Sequence, residues 1–299
     1  MKTMVAVNGT ITPPEQAVVP ALDRGFLYGD SVYEVLWWHR GTPIQAGDHW
    51  TRLRESARRI YMDLALADDA LLSAVRATVA AAAVGGDDAY VRLVVTRGVG
   101  PLGLAFDAPL SPTVVVVVAP ANRPTPAAWE KGLNVAFVDR LRMPRRALDP
   151  GAKTGNYMNN ALALHEARAA GADDALMLND RGEVTEGTTS NVYAVSGGAL
   201  ATPPVEAGIL RGTTRTRILD LCRRHGLSAV EKSVMPADLF AADEVFASSS
   251  VRGILPVLSI DARPVANGKP GPVTRRIHAW FEEAADQEAA ALAPPASVR

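Results

Sequence analysis

Residues 114–128 read VVVVVAPANRPTPAA, and no other stretch restricts the fold as tightly. Five consecutive β-branched residues favour an extended strand, and an unbroken apolar run reads as a strand buried on both faces. The next nine residues hold three prolines and little apolar content, which reads as a linker. Residues 1–120 then form an N-terminal α/β domain, 121–128 an interdomain linker and 129–286 a C-terminal α/β domain. The Ala/Pro-rich end, 287–299, is expected to be a flexible tail. A chain of 299 residues suits one to two domains.

Strand and helix signals interleave irregularly on both sides of the linker. Val5-Ala6-Val7, Asn8-Gly9 and Thr10-Ile11 read as a hairpin with an Asn-Gly turn. Ser31 to His39 followed by Arg40-Gly41-Thr42 reads as a second. A helix is expected from Asp48 as N-cap, another over 69–84, and a strand over 89–96. Beyond the linker, strands are expected over 133–138, 175–178, 183–186, 191–195, 242–246 and 255–260. Helices are expected over 156–170, 213–225 and 272–284. In the first of these, Met158, Leu162 and Leu164 mark the face turned to a core.

Composition removes several function classes. The net charge is −1, so no basic face invites nucleic acid. Cys222 is the one cysteine, and the five histidines lack metal-ligand spacing. A disulfide framework and a metal site are therefore not expected, and a reducing compartment is. No stretch approaches the roughly 20 apolar residues of a membrane span, and MKTMVAVNGTITPP lacks the apolar core of a signal peptide. The expected location is the cytoplasm.

Five segments carry polar residues suited to chemistry. AKTGNYMNN (152–160) sets Lys153 among Gly151, Gly155, Asn156 and Tyr157. Taken alone, Lys153 reads as a solvated lysine. A lysine withdrawn from water, however, becomes a nucleophile toward carbonyls. EVTEGTTSNVY (183–193) places Glu186 between an apolar strand and a run of hydroxyls. It reads as a polar hairpin loop, or as a carboxylate that keeps a cofactor's ring nitrogen protonated. ILRGTTR (209–215) opens a helix with Gly212-Thr213-Thr214, a cap or an anion site. VFASSSVRG (245–253) offers three serines after a strand. HWTRLR (49–54) offers Arg52 and Arg54 on different helix faces, so at most one of them turns inward.

Together, a Schiff-base lysine, a ring-nitrogen carboxylate and several phosphate cradles make the parts list for pyridoxal 5′-phosphate (PLP). In this order the segments resemble the fold-type IV, or class IV, aminotransferases, from DRGFLYGDSVYEV (23–35) through GPVTRRI (271–277). That resemblance implies a two-domain α/β enzyme, with a smaller N-terminal α/β sandwich and a larger C-terminal α/β pseudo-barrel. By position, Lys153 resembles the lysine that binds the cofactor's aldehyde and later shuttles a proton. Glu186 resembles the ring-nitrogen partner, and Tyr157 the tyrosine at the cofactor's O3′. Arg52, Thr213, Thr214 and Ser250 resemble the phosphate ligands, and Asn191 falls in the cofactor site. Tyr28, Tyr33, Tyr90 and Arg92, with Ser249 and Val251, fall where family members line the substrate pocket.

The substrate signals diverge. Tyr90-x-Arg92 resembles the branched-chain members. Val35, where those have glycine, and SSSVRG (248–253) both depart from them. The expected function is a PLP-dependent transaminase that moves nitrogen from an L-branched-chain or other hydrophobic amino acid to a keto acid such as 2-oxoglutarate. It would act by a ping-pong mechanism and as a homodimer or higher homo-oligomer, with no membrane partner. The alternatives are an aminodeoxychorismate-type lyase, a D-amino-acid or (R)-amine transaminase, and a non-catalytic PLP carrier. Arg252 is open between an anion contact and a solvent-facing side chain.

Overall fold

The computed structural model describes residues 1–86, 88–106 and 109–292. It divides into two compact units. Unit 1 comprises residues 1–122, 152–156 and 285–299, and unit 2 comprises 123–151 and 157–284. Residues 287–292 of the expected tail are helical instead, and residues 293–299 lie outside the described residues.

Unit 1 is an α/β sandwich. Its chain runs β1 (Met4–Val7), β2 (Thr10–Thr12), α1 (Arg24–Tyr28), β3 (Ser31–His39) and β4 (Thr42–Pro43). It continues through α2 (Ala46–Arg59), α3 (Asp68–Ala81), β5 (Ala89–Thr96) and β6 (Val114–Pro120). The six strands form one antiparallel sheet in the order β2-β1-β6-β5-β3-β4. Leu53 and Ala57 of α2, with Leu71, Val75 and Val79 of α3, pack on Val32, Leu36, Val91, Leu93, Val116 and Val118. Each such side chain contributes about 1.5–3 kcal/mol by leaving water.

The valine strand is not buried on both faces. In β6, Val116 and Val118 are buried while Val114, Val115 and Val117 are only partly so. Within unit 1 the helices pack on one face of an antiparallel sheet, so alternate valines enter the core. Nor does α2 begin on an Asp48 cap. Its N-cap is Gln45, in the left-handed region at φ 56°, and Asp48 sits in the first turn, where it accepts from Gln45 Nε2 at 2.9 Å.

Unit 2 begins within the expected linker, with α4 (Pro126–Lys131). It continues through β7 (Leu133–Phe137), α5 (Met158–Ala169), β8 (Asp174–Leu178), β9 (Val184–Gly187), β10 (Asn191–Ser196) and β11 (Ala199–Thr202). Then come α6 (Thr213–Arg224), β12 (Ala229–Glu231), α7 (Pro236–Phe240), β13 (Glu244–Ser249), β14 (Gly253–Ile260), β15 (Arg263–Pro264) and α8 (Pro272–Leu292). The residues of α8 from Ala285 onward belong to unit 1. Strand β10 pairs with β13 on one side and with β9 on the other, so β10-β13-β14-β7-β8-β9 closes on itself like a barrel. The closing pair is Asn191 opposite Glu186.

The face of α5 differs from expectation. Met158 is 69% exposed and Leu162 39%, while Ala163 and Ala167 are buried against Ala175 and Met177. Small side chains let the helix sit close to the sheet, and the larger ones turn outward. None of the described helices is long and apolar enough to cross a membrane.

Candidate functional site

Lys153 belongs to unit 1, although the chain on both sides of its short segment belongs to unit 2. The segment runs extended along the edge of β3. Thr154 pairs antiparallel with Val32, and Gly155 N–H donates to Ser31 O at 2.9 Å. Lys153 O accepts Tyr33 N–H at 3.0 Å, and Lys153 N–H donates to Ser56 Oγ at 3.0 Å. A Cβ on Gly155 would fall 2.3 Å from Ser31 Oγ, so a larger residue there would have to push the Ser31 hydroxyl aside. The lysine therefore sits on a strap, and α5 starts five residues later, at Met158.

The Lys153 side chain lies over Tyr33, with Nζ 4.5 Å from the ring centroid. Arg92 Cζ stands 3.9 Å from the same centroid. Strand pairing explains the company. Val35 is opposite Arg92 and Trp37 opposite Tyr90, and strand side chains alternate between faces. Tyr33, Tyr90 and Arg92 thus share the face away from the unit 1 core. Tyr28 is committed differently: at the end of α1, its hydroxyl accepts Gly103 N–H at 3.1 Å.

The other face of β3 carries Glu34, which is fully buried. From α2, Arg52 Nε donates to Glu34 Oε1 at 2.8 Å and Nη2 to Oε2 at 2.6 Å. His49 Nδ1 is 2.6 Å from Oε2. Burial pushes the Glu34 carboxyl up, but the Arg52 guanidinium and then His49 outweigh it and hold the group at about 2. Burial pushes His49 down, against the pull of Glu34, and the charges of Arg52 and Lys153 add to the fall. Of the two arginines in HWTRLR, Arg52 is the buried one. Arg54 pairs at the surface with Asp68 and with Leu66 O.

Unit 2 assembles the second set of residues at strand ends. Across the sheet, Glu186 is opposite Asn191, which is opposite Ser248. Glu186 Oε1 lies 2.9 Å from Arg142 Nη2, while Oε2 accepts Leu210 N–H at 3.0 Å and Asn191 Nδ2 at 3.3 Å. Asn191 Nδ2 also donates to Leu210 O at 3.0 Å. The chain leading into α6 is thereby fastened beside Glu186. A Cβ on Gly212 would fall 2.1 Å from Asn191 Oδ1, so any larger residue at the N-cap of α6 would displace the Asn191 side chain.

That N-terminus has no side-chain cap, and Thr213 and Thr214 are buried in its first turn. Thr214 Oγ1 is buried with no hydrogen-bond partner among the described residues. Backbone N–H groups at a helix start, beside an unsatisfied hydroxyl, suit an anion. Ser250, Val251 and Arg252 form the turn between β13 and β14. Arg252 Nη2 donates to Thr189 Oγ1 at 3.2 Å and lies 3.9 Å from Asp174, so its charge has a carboxylate neighbour. Val251 O accepts Arg123 Nη1 at 3.2 Å, and Ser249 closes β13 opposite Gly253. Tyr157 is the half-buried N-cap residue of α5.

In short, unit 1 gathers Lys153, Tyr33 and Arg92 on one face of its sheet and Arg52 on the other. Unit 2 gathers Glu186, Asn191, Thr213 and Thr214. Sequence reasoning missed Glu34, His49 and Arg142. Glu34 carried a signal, as the one acid in the apolar strand SVYEVLWWH. Arg142 carried none, being one of four arginines in RLRMPRR.

Known proteins share this arrangement of elements. A family model described as amino-transferase class IV matches residues 31–260. A protein of Methanocaldococcus jannaschii, provisionally named a branched-chain-amino-acid aminotransferase, is 36% identical over 93% of this chain and 95% of its own. A D-alanine aminotransferase of Bacillus licheniformis is 33% identical over 96% and 98%. Among solved structures, the branched-chain aminotransferase of Escherichia coli superposes with a TM-score of 0.88 at 29% identity, covering 94% of each chain. That of Thermoproteus uzoniensis, solved with norvaline, gives 0.86 at 32%, covering 94% and 93%.

Proposed function

The chain belongs to the class IV aminotransferases and is a PLP-dependent transaminase, and from that premise we propose that it moves the amino group of an L-branched-chain or other hydrophobic amino acid to a keto acid such as 2-oxoglutarate. The observation that carries this reading is that Lys153 and Arg92 both lie against the Tyr33 ring. Arg92 stands on the lysine's face of the sheet, and no carboxylate of the described residues pairs with it. An arginine so placed is a receptor for a substrate carboxylate. The likeness to branched-chain aminotransferases supports a hydrophobic donor.

The residues suit PLP. Bound, it supplies an aldehyde that condenses with amines and a ring that takes up the electrons left when the α-proton departs. Lys153 would hold that aldehyde carbon, and its amine would then carry the α-proton. Glu186, braced by Asn191, would hold the ring nitrogen, and Tyr157 would hold the ring hydroxyl. Thr214, whose buried hydroxyl has no partner among the described residues, would hold the phosphate with Thr213 and Ser250, a role the family likeness also suggests for Arg52. Tyr28, Tyr33, Tyr90, Ser249 and Val251 border the substrate. We further propose a cytoplasmic homodimer, on the family likeness and the single buried cysteine.

A second reading, a D-amino-acid donor, is favoured by the D-alanine aminotransferase likeness and by Val35 in the Tyr33-Glu34-Val35 stretch. The deciding experiment mixes holoenzyme with one amino acid at a time, without keto acid, and follows the cofactor's visible band. L-valine and L-leucine are expected to convert it to the pyridoxamine form while D-alanine does not. Conversion by D-alanine alone replaces the first reading with the second, and conversion by neither set sinks both. Lys153→Ala is expected to abolish conversion.

A further inference from the structure

The Glu186 carboxylate lies almost wholly out of water, with its side chain 7% exposed. A carboxylate in that position is driven toward its neutral form unless something holds its charge. Leu210 N–H and Asn191 Nδ2 both approach Oε2, and neither carries a charge. Arg142, 2.9 Å from Oε1, does. Its own position is costly. The side chain is 9% exposed, Nη1 reaches Asn160 Oδ1 only at 3.3 Å, and Nε has no partner among the described residues. A buried unsatisfied N–H is costly, a poor design if the arginine served stability alone.

The surroundings nonetheless hold Arg142 in place. Its N–H donates to Leu178 O at 2.8 Å, and Asn160 is anchored by Nδ2 donating to Thr188 O at 2.7 Å. Thr188 lies in the turn that follows Glu186, so the arginine and the carboxylate share one scaffold.

We propose that Arg142 is a positioning residue that keeps the Glu186 carboxylate ionised and aimed, so that the proton shared between Glu186 and the cofactor's ring nitrogen stays on nitrogen. The inference rests on the reading of Glu186 as the ring-nitrogen partner. The chemistry is a single proton with two homes, the ring nitrogen or Glu186 Oε. A cation against Oε1 makes the carboxylate the weaker base. Without it, the neutral carboxylic acid beside a neutral ring becomes the better pair, and the ring loses its electron-withdrawing charge.

The test reads the proton directly. Holoenzyme is prepared with PLP labelled with 15N in the ring, and the nitrogen resonance is recorded by NMR. The wild type is expected at the protonated position. Arg142→Met is expected to move it toward the unprotonated pyridine position, and Arg142→Lys, which restores the charge, to bring it back. Should Arg142→Met fail to fold, Arg142→Gln makes the same test with a polar side chain. An arginine that only stabilised the fold would leave the resonance in place in every folded variant, and that result overturns the proposal. Glu186→Gln separates the two layers. If it shifts the resonance while the neutral Arg142 variants do not, the role of Arg142 falls alone. If Glu186→Gln shifts nothing, the reading of Glu186 falls and takes this inference with it.

Discussion

Glu34 with Arg52 in unit 1 and Glu186 with Arg142 in unit 2 are both buried carboxylate–arginine pairs, and the two are built differently. In unit 1 both oxygens of Glu34 are occupied by the Nε–Nη2 edge of Arg52, with His49 on Oε2 as well. In unit 2, Arg142 lies against Oε1 of Glu186, and two uncharged donors reach Oε2. The first carboxylate is enclosed on the core face of a strand, where its service is to orient an arginine. The second lies near the end of a strand at the closure of a barrel, where its proposed service is to face a ligand. The same two residue types thus exchange the parts of worker and holder. Burial of a charged pair alone does not reveal which of the two is functional.

Three substitutions and one titration can break that contrast. The largest effect belongs to Glu186→Gln. The rate of the half-reaction with amino acid is expected to fall about 10²- to 10³-fold, the scale of a lost electrostatic stabiliser. An unchanged rate would make the two pairs equivalent.

Glu34→Gln leaves Arg52 buried with its charge uncompensated, at a cost of about 3–5 kcal/mol in denaturant unfolding. It is also expected to weaken binding of PLP more than that of pyridoxal, which has no phosphate for Arg52. Equal losses for both ligands would reduce Glu34 to a structural acid.

The acid titration follows from the same group. Glu34 is depressed from an ordinary 4.5 to about 2 in the folded protein. Its contribution, roughly 3 kcal/mol, is whole above the unfolded value and is lost as pH falls through the folded one. The stability gap between wild type and Glu34→Gln should therefore narrow between about pH 4.5 and pH 2. A constant gap across that window would contradict the buried ion pair.

Thr214→Val is the smallest change. Its hydroxyl has no partner among the described residues, so unfolding of the apoprotein should shift by less than about 0.5 kcal/mol. PLP affinity should drop by about tenfold, the worth of one hydrogen bond to a charged group. Undiminished affinity would remove Thr214 from the phosphate site.

Much of the fold was legible because strands and turns are local. The Asn8-Gly9 hairpin and the strand beginning at Ser31 follow from residue type and period. The valine strand misled because five valines look alike along the chain, and only the one-sided placement of α2 and α3 decides which of them are buried. The same holds for α5, where the conspicuous Met158 and Leu162 face outward and two alanines make the contact.

The sequence by itself determined the two-part α/β architecture, the family and the cofactor, because those rest on short motifs whose residues act close to their neighbours in the chain. Tertiary structure decided the rest. Lys153 reads as the approach to a helix, yet it is strapped to β3 and bonded to Ser56, 97 residues earlier. Arg142 is indistinguishable from three neighbouring arginines until folding sets it against Glu186. An ion pair or a strap across the sheet is made by residues far apart in the chain. No local pattern encodes it, and it exists only once the hydrophobic cores have placed their elements.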